Sequence, residues 1–230
     1  MDILFQDPAL LVVDKPAGVS VLPDGWEKNA SFLLEQLEAQ FGKCWVVHRL
    51  DKVTSGVILF ARTAEAHRNL NLQFEHREIH KEYHAILTGL PLWENHTAHH
   101  PLKIDVGHSH RTVVDHSRGK PAETQFFILE RFAGHCLVEA LPSTGRTHQI
   151  RVHAYALGYP LLGDTLYDAP STDLIARPAL HALSIRFAHP LTNATMTFSA
   201  PYPVDFKMAL ESLKAGVGLS PGQIQDQDGN

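Results

Sequence analysis

Residues 45–60 read WVVHRLDKVTSGVILF, a polar segment with an apolar run at each end. Short apolar runs bounded by turn residues are typical of buried strands, so this stretch predicts two strands joined by a loop. The loop carries Asp51 with Arg49 and Lys52 on either side, and Gly56 permits the turn into the second strand. Such a loop is a rigid mount for a reactive carboxylate, and the two cations would keep Asp51 ionised. The pattern also fits an ordinary charged turn with a surface salt bridge.

A second charged cluster lies at residues 143–153, which read STGRTHQIRVH. Thr147 is the predicted N-cap of a helix that ends at Gly158. In that helix His148 and Arg151 are three residues apart and share a face. An arginine in the first turns could pair with a carboxylate or hold a phosphate near the positive helix end. An amphipathic helix with a solvated polar face explains the same spacing.

Strands outnumber helices in the rest of the chain. The predicted helices cover residues 31–41 and 64–76, with Gly42 as the end of the first. The predicted strands cover residues 3–5, 10–13, 83–87, 124–129, 136–140, 180–187 and 196–198. Helices and strands do not alternate regularly, which predicts an α+β domain around a largely antiparallel or mixed sheet with flanking helices.

The composition is that of an ordinary globular protein. Hydrophobic residues make up 44% of the 230 residues, and we expect one domain at residues 1–212 and a flexible tail at 213–230. No stretch approaches the roughly 20 apolar residues of a membrane-spanning helix. The N-terminus lacks a basic leader, and Cys44 and Cys136 form no close pair. These features indicate a cytoplasmic protein without contact to membranes.

The net charge argues against a nucleic-acid partner. It is −5, whereas nucleic-acid-binding proteins usually carry a basic excess. The acidic residues are spread along the chain, however, while several arginines fall inside the two charged segments. We therefore expect a local basic cleft on a mildly acidic protein.

One stretch of the chain is rich in histidine. Zinc sites need closely spaced ligands, and this stretch contains no HExxH pattern. We expect a solvated insertion and no metal site, with a metal-dependent hydrolase as the alternative. The histidines are His96, His99, His100, His108, His110 and His116.

The two charged segments together resemble the signatures of the RluA-type pseudouridine synthases. The resemblance extends from about residue 3 to residue 203. Further matching pieces lie, in order, at residues 14–18, 81–83, 119–122, 163–167, 180–182 and 189–190. The family fold that it implies is a mixed, mainly antiparallel sheet with a central active-site cleft. Some relatives carry an N-terminal S4 domain, and we expect this chain to resemble the short members without it.

The resemblance implies roles for individual residues. It makes Asp51 the catalytic aspartate and Arg151 the basic residue that pairs with it. Tyr83 matches the aromatic residue that stacks against the target base, although from the residues alone a tyrosine entering a strand is more often a half-buried core residue. Arg49 matches the arginine that fills the gap left by the flipped nucleotide. Weaker candidates for RNA contacts are Arg146 and His148.

The implied reaction breaks the C1′–N1 bond of uridine, rotates the uracil and rejoins it through C5. No electrons are gained or lost, so we expect no cofactor. The carboxylate could act by covalent attack or by removing a sugar proton, and the sequence leaves both open. The expected partner is a structured RNA, a stem-loop of tRNA or large-subunit rRNA, bound by a monomer without an obligate protein partner. The alternative is a non-catalytic RNA-binding protein on the same scaffold.

Overall fold

The computed structural model describes residues 1–23, 31–104 and 111–216. Two residues of the histidine-rich stretch, His108 and His110, lie outside these ranges, as do residues 217–230 of the expected tail. The last described helix continues through Lys214, two residues past the expected domain boundary.

Twelve strands and four α-helices occur in the described residues. The strands are β1 (Asp2–Gln6), β2 (Leu10–Lys15), β3 (Trp45–Val46), β4 (Ser55–Ala61), β5 (His80–Thr88), β6 (Asn95–Ala98), β7 (Leu102–Ile104), β8 (Thr112–Val114), β9 (Thr124–Phe132), β10 (His135–Pro142), β11 (Leu180–Ala188) and β12 (Thr195–Ser199). The helices are α1 (Leu33–Phe41), α2 (Ala64–Glu75), α3 (Gln149–Ala156) and α4 (Val204–Lys214). None of the helices in these ranges has the length and apolar character needed to cross a membrane.

Most strands join one large sheet in the order β1-β2-β4-β11-β5-β10-β9-β6. Strand β3 adds to β4, β12 adds to β11, and β7 and β8 form a separate pair. Within the described strands, β4 and β11 run parallel and the other pairs are antiparallel. The predicted α+β fold with a mixed, mainly antiparallel sheet is therefore confirmed.

The sheet is covered on both faces at strands β2 and β4. Successive side chains of a strand point to opposite faces, and in β2 Leu10 joins a core cluster with Leu70 of α2. Its neighbour Leu11 joins a second cluster with Leu33 of α1. Strand β4 is buried along its whole length, as the apolar sequence predicts.

Strand β11 lies between β4, which follows the Asp51 loop, and β5, which carries Tyr83. Its residue Ala182 lies opposite Gly56 of β4 and also opposite Tyr83 of β5. Gly56 has φ +112°, and a Cβ atom built there would lie 2.1 Å from the carbonyl oxygen of Ala182. A glycine is required here because only glycine allows this conformation and this close approach of the two strands.

The structure differs from the sequence predictions at three points. Helix α3 begins at Gln149, and the residue before it is His148 in a left-handed conformation (φ 54°) without a side-chain cap, so Thr147 is not the N-cap. The histidine-rich stretch, expected to be a solvated insertion, contains residues of three short strands, β6, β7 and β8. Helix α4 was not predicted, although Phe206, Ala209, Leu210 and Leu213 recur at helical spacing and are buried.

Candidate active site

A cavity of about 800 Å³ lies where the β3–β4 loop meets the end of α2, the start of β5 and the β10–α3 loop. Asp51, Tyr83 and His148 line it, and so do Arg49 and Arg146. Five of the six predicted site residues therefore meet in one cavity. The sixth, Arg151, lies directly behind Asp51, as described below.

The loop that carries Asp51 is fixed through its backbone. The Gly18 N–H donates to the carbonyl oxygen of Lys52 at 2.7 Å. The ammonium group of the fully buried Lys15 donates to the same oxygen at 3.2 Å, and to the carbonyls of Pro16 and Val19 at 2.9 and 2.8 Å. Burial lowers the pKa of Lys15 to about 7, although the charge of Asp51 opposes this shift. Lys15 thus ties the 16–19 turn to the loop.

Arg177 fixes the far end of the same loop. Its guanidinium donates to the carbonyl oxygen of Val53 at 3.1 Å and to the hydroxyl of Ser55 at 3.3 Å. The same group forms a bidentate pair with Asp205 of α4, at 2.6 and 3.0 Å. Helix α4 therefore supports the Asp51 loop through Arg177, a link that the sequence analysis missed.

His48 holds the beginning of the loop against β4. Its Nε2 accepts a hydrogen bond from the Leu59 N–H at 3.0 Å. Desolvation lowers the pKa of His48 to about 3, with a further lowering by Lys81, so the ring is neutral and able to accept. His48 has a positioning role in the loop and its acceptor nitrogen is already used.

Asp51 is partly open to the cavity and faces two basic side chains. Its carboxylate is 26% exposed and has one oxygen 3.8 Å from an Arg151 nitrogen and 4.0 Å from His148 Nε2. Burial lowers the pKa of His148, and the charge of Asp51 opposes that shift. The side chain of Arg151 is only 5% exposed. The carboxylate thus faces solvent on one side and a buried cation on the other.

The hydrogen-bonded partner of Arg151 is Asp164, which the sequence analysis did not single out for this role. Two guanidinium nitrogens donate to the two carboxylate oxygens of Asp164, both at 2.7 Å. Burial lowers the pKa of Arg151, but the hydrogen bonds and charge of Asp164 outweigh it and raise the value. The predicted contact between Arg151 and Asp51 exists at ion-pair distance, and Asp164 is the stronger partner.

Tyr167 organises the basic face of α3. Its hydroxyl lies 2.9 Å from His148 Nδ1, and its ring lies 5.0 Å from the centre of the Arg151 guanidinium. The same hydroxyl accepts from the Thr112 N–H at 3.0 Å and donates to the Thr112 carbonyl at 3.2 Å. Tyr167 is therefore held by β8 and in turn fixes the two basic residues that face Asp51.

Tyr83 and Lys81 lie two residues apart on β5, on the same face of the strand, and both line the cavity. Burial and the nearby charge of Asp51 raise the pKa of Tyr83, so its hydroxyl stays protonated at neutral pH. The Lys81 ammonium donates to the carbonyl oxygen of Thr144 at 3.2 Å, and burial lowers its pKa to about 8. Lys81 is a cavity residue that the sequence analysis did not propose.

The cavity is locally basic, in agreement with the sequence-based expectation. Among the described lining residues, lysine and arginine outnumber aspartate and glutamate by five to two. The cations are Arg49, Lys52, Arg77, Lys81 and Arg146, and the anions are Asp51 and Glu75. A negatively charged ligand would therefore meet a favourable field here in spite of the net charge of −5.

The histidine-rich region brings together His100, His116 and His153. The centre of the His100 ring lies 6.1 Å from the ring centre of His116 and 5.9 Å from that of His153. Both nitrogens of His153 are already paired, with the Thr124 hydroxyl at 2.9 Å and the His100 carbonyl at 3.0 Å. Across the described ranges, no group of three or more histidine, cysteine or acidic side chains is arranged to hold a metal ion.

The amino-acid sequence is similar to those of known proteins. The chain is 38% identical over 202 residues to the dual-specificity RNA pseudouridine synthase RluA of Haemophilus influenzae. The aligned segment covers 87% of this chain and 92% of that protein. It is 39% identical over 226 residues to the ribosomal large subunit pseudouridine synthase C of Pasteurella multocida, covering 92% of this chain and 68% of that protein.

The similarity extends to solved structures. Human RNA pseudouridylate synthase domain containing 1 superimposes with a TM-score of 0.73 at 30% identity, covering 87% of this chain and 83% of that one. Residues 9–156 match the RNA pseudouridylate synthase family, and this segment contains Asp51, Tyr83 and Arg151. The chain therefore belongs to the RNA pseudouridylate synthase family.

Proposed function

We propose that this RNA pseudouridine synthase uses Asp51 as its catalytic carboxylate. The observation that carries the proposal is the environment of Asp51. It lines the cavity on a loop fixed at both ends, and its carboxylate lies 3.8 Å from the buried Arg151. A carboxylate so placed can meet a nucleoside bound in the cavity without reorganising its surroundings.

The isomerisation suits one carboxylate in a basic cavity. The C1′–N1 bond breaks and a C1′–C5 bond forms, while C5 loses a proton and N1 gains one, so atoms and electrons balance without a redox partner. Asp51 would either attack the nucleoside covalently or remove a sugar proton, and then be regenerated when the new C–C bond forms. Arg151 would keep the carboxylate ionised and oriented through both steps.

A paired uridine must leave the base stack before Asp51 can reach it. Flipping a base costs a few kcal/mol, and the cost is smallest in loops and bulges. The cavity volume of about 800 Å³ lies within the range of small-molecule sites and is ample for one nucleotide. We assign Tyr83 the role of stacking on the flipped uracil, and Arg49, on the exposed part of the loop, the role of filling the vacated space. Arg146 and His148 are assigned supporting contacts.

The proposed substrates are stem-loops of tRNA, of large-subunit rRNA, or of both. The names of two similar proteins support this choice, since one is described as dual-specificity and the other as acting on the large ribosomal subunit. We propose further that the protein acts as a cytoplasmic monomer, without an obligate protein partner.

The direct test is pseudouridine mapping at nucleotide resolution. The purified protein is incubated with unmodified transcripts of tRNAs and of the large-subunit rRNA, and RNA from cells with and without the gene is mapped in parallel. We expect a small set of loop uridines to be converted in vitro and to lose modification in cells without the gene. Tight RNA binding with no conversion of any transcript would instead support the non-catalytic RNA-binding alternative.

A further inference from the structure

Arg77 lies at the mouth of the cavity, as Arg49 and Arg146 do. It follows the end of helix α2. Its exposed side chain lines the cavity together with Phe74 and Glu75 of the last helical turn. We infer that Arg77 binds a phosphate of the RNA strand next to the flipped uridine. This inference rests on the proposed function, because it takes RNA to be the occupant of the cavity.

The backbone of Arg77 is the first reason. The residue has φ +60° and occupies the left-handed position that commonly ends a helix. The Arg77 N–H donates to the Phe74 carbonyl at 3.2 Å, and the Glu78 N–H donates to the Gln73 carbonyl at 2.9 Å. Glycine is the usual residue in this position because a Cβ atom is unfavourable there. The helix end alone would therefore be more stable with glycine, and strained residues of this kind cluster at functional sites.

The guanidinium of Arg77 is the second reason. Within the part of the chain that the structure describes, it has no hydrogen-bond or ion-pair partner. Arginines that stabilise the fold do form such bonds. Arg62, for example, donates to the carbonyls of Asp7 and Phe41 at 2.6 and 3.2 Å. Arg177 is likewise bonded to Asp205 and to the Asp51 loop. Among the described residues, the Arg77 side chain thus forms no hydrogen bond or ion pair that would compensate the unfavourable backbone conformation.

The position of Arg77 on the rim is the third reason. Exposed arginines reach the cavity from three separate elements, with Arg49 on the β3–β4 loop, Arg77 after α2 and Arg146 on the β10–α3 loop. A uridine that enters the cavity leaves its flanking phosphates at this rim. The guanidinium group matches phosphate oxygens in charge and geometry. Glu75 on the same wall is the opposing charge, and Arg49 and Arg77 outnumber it.

The test compares Arg77→Gly and Arg77→Lys with the wild type and with Arg68→Ala as the matched control. Arg68 is also exposed, but it lies on α2 itself and does not line the cavity. For each protein we measure Tm, the Kd for a substrate stem-loop transcript at several salt concentrations, and kcat for pseudouridine formation.

We expect Arg77→Gly to raise Tm by about 2–4 °C while weakening RNA binding on the order of tenfold. The slope of log affinity against log salt should shrink by about 0.7, the contribution of one phosphate contact on a single strand. Arg77→Lys should keep most of the affinity and the wild-type salt slope. In both Arg77 variants the change should appear in Kd, with little change in kcat at saturating RNA. Arg68→Ala should bind RNA as the wild type does.

A glycine variant with raised Tm and unchanged Kd and salt slope would overturn the inference while leaving the proposed function intact. An equal loss of affinity in Arg68→Ala would also overturn it, because the effect would then be one of general charge. If the wild type itself converts no uridine in any transcript, the proposed function fails and the inference falls with it.

Discussion

Arg151 and Asp164 form a buried bidentate ion pair with both N–O distances at 2.7 Å, while Asp51 lies 3.8 Å from a nitrogen of the same guanidinium. The arginine is therefore oriented by Asp164 and presented to Asp51. The positive charge of Arg151 stabilises the ionised Asp51 carboxylate, although at 3.8 Å the two side chains are not hydrogen-bonded. This division leaves the Asp51 oxygens accessible to a bound nucleotide.

Asp164→Asn should destabilise the protein by about 3 kcal/mol, because it leaves the charge of a buried arginine without its main partner. It should also slow pseudouridine formation, since Arg151 would be free to turn away from its present position. Urea unfolding and single-turnover kinetics measure the two effects. The matched control is Asp168→Asn, whose carboxylate is 57% exposed and pairs with Arg111 at 3.2 Å. The control should be far less costly because its carboxylate is exposed to solvent, and equal costs for the two variants would contradict this account of Asp164.

Tyr83→Phe should retain most of the activity, because phenylalanine keeps the aromatic face. Tyr83→Ala should lose the stacking contribution, which is about 1–3 kcal/mol for a base on an aromatic side chain. The readout is kcat/KM for a substrate stem-loop. A collapse of activity in Tyr83→Phe would show that the hydroxyl is essential and that stacking alone does not describe the role of Tyr83.

Gly56→Ala should destabilise the fold by about 3 kcal/mol or more, because the added Cβ atom meets the Ala182 carbonyl oxygen at 2.1 Å between β4 and β11. Gly42→Ala is the control, since Gly42 also has a positive φ (+75°) but no atom within 4 Å of an added Cβ. The control isolates the conformational cost, which is about 1 kcal/mol. Chemical denaturation of both variants tests the difference, and equal costs would show that the strands separate easily.

Stability should fall as the pH is lowered from about 6.5 towards 4. Burial lowers the pKa of His153 and of His181 to about 4, from the ordinary value of 6.5. Between these pH values the unfolded chain binds protons that the folded chain does not, so protonation favours unfolding. Urea unfolding at pH 7, 6, 5 and 4.5 gives the slope, which His153→Gln should reduce. A free energy of unfolding that is constant over this range would rule out buried neutral histidines.

The sequence predicted the parts of the fold that local patterns encode. Alternating or continuous apolar runs revealed β2, β4 and most of the large sheet, and helical spacing with Gly42 at the end revealed α1. The strands of the histidine-rich stretch were missed because each has only three or four residues, too few to form a recognisable apolar pattern. Helix α4 did carry such a signal in its buried residues.

The predicted site residues meet in one place, but the sequence could not show what holds them. Arg177 contacts the carbonyl of Val53 across 124 positions of the chain, and no local pattern connects the two. Asp164 lies in a turn 13 positions after Arg151, beyond helical spacing. Both contacts arise from the long-range pairing of β4 with β11 and the packing of α3, which only the folded chain reveals.

The most direct test of the central claim is the activity of Asp51→Asn measured beside its RNA affinity. Asparagine has nearly the same shape but neither a negative charge nor a basic oxygen. The account predicts that the variant folds and binds the substrate stem-loop with a Kd within about threefold of the wild type, while pseudouridine formation slows by about a thousandfold or more. An Asp51→Asn protein that forms pseudouridine at the wild-type rate would contradict the assignment of Asp51 as the catalytic residue.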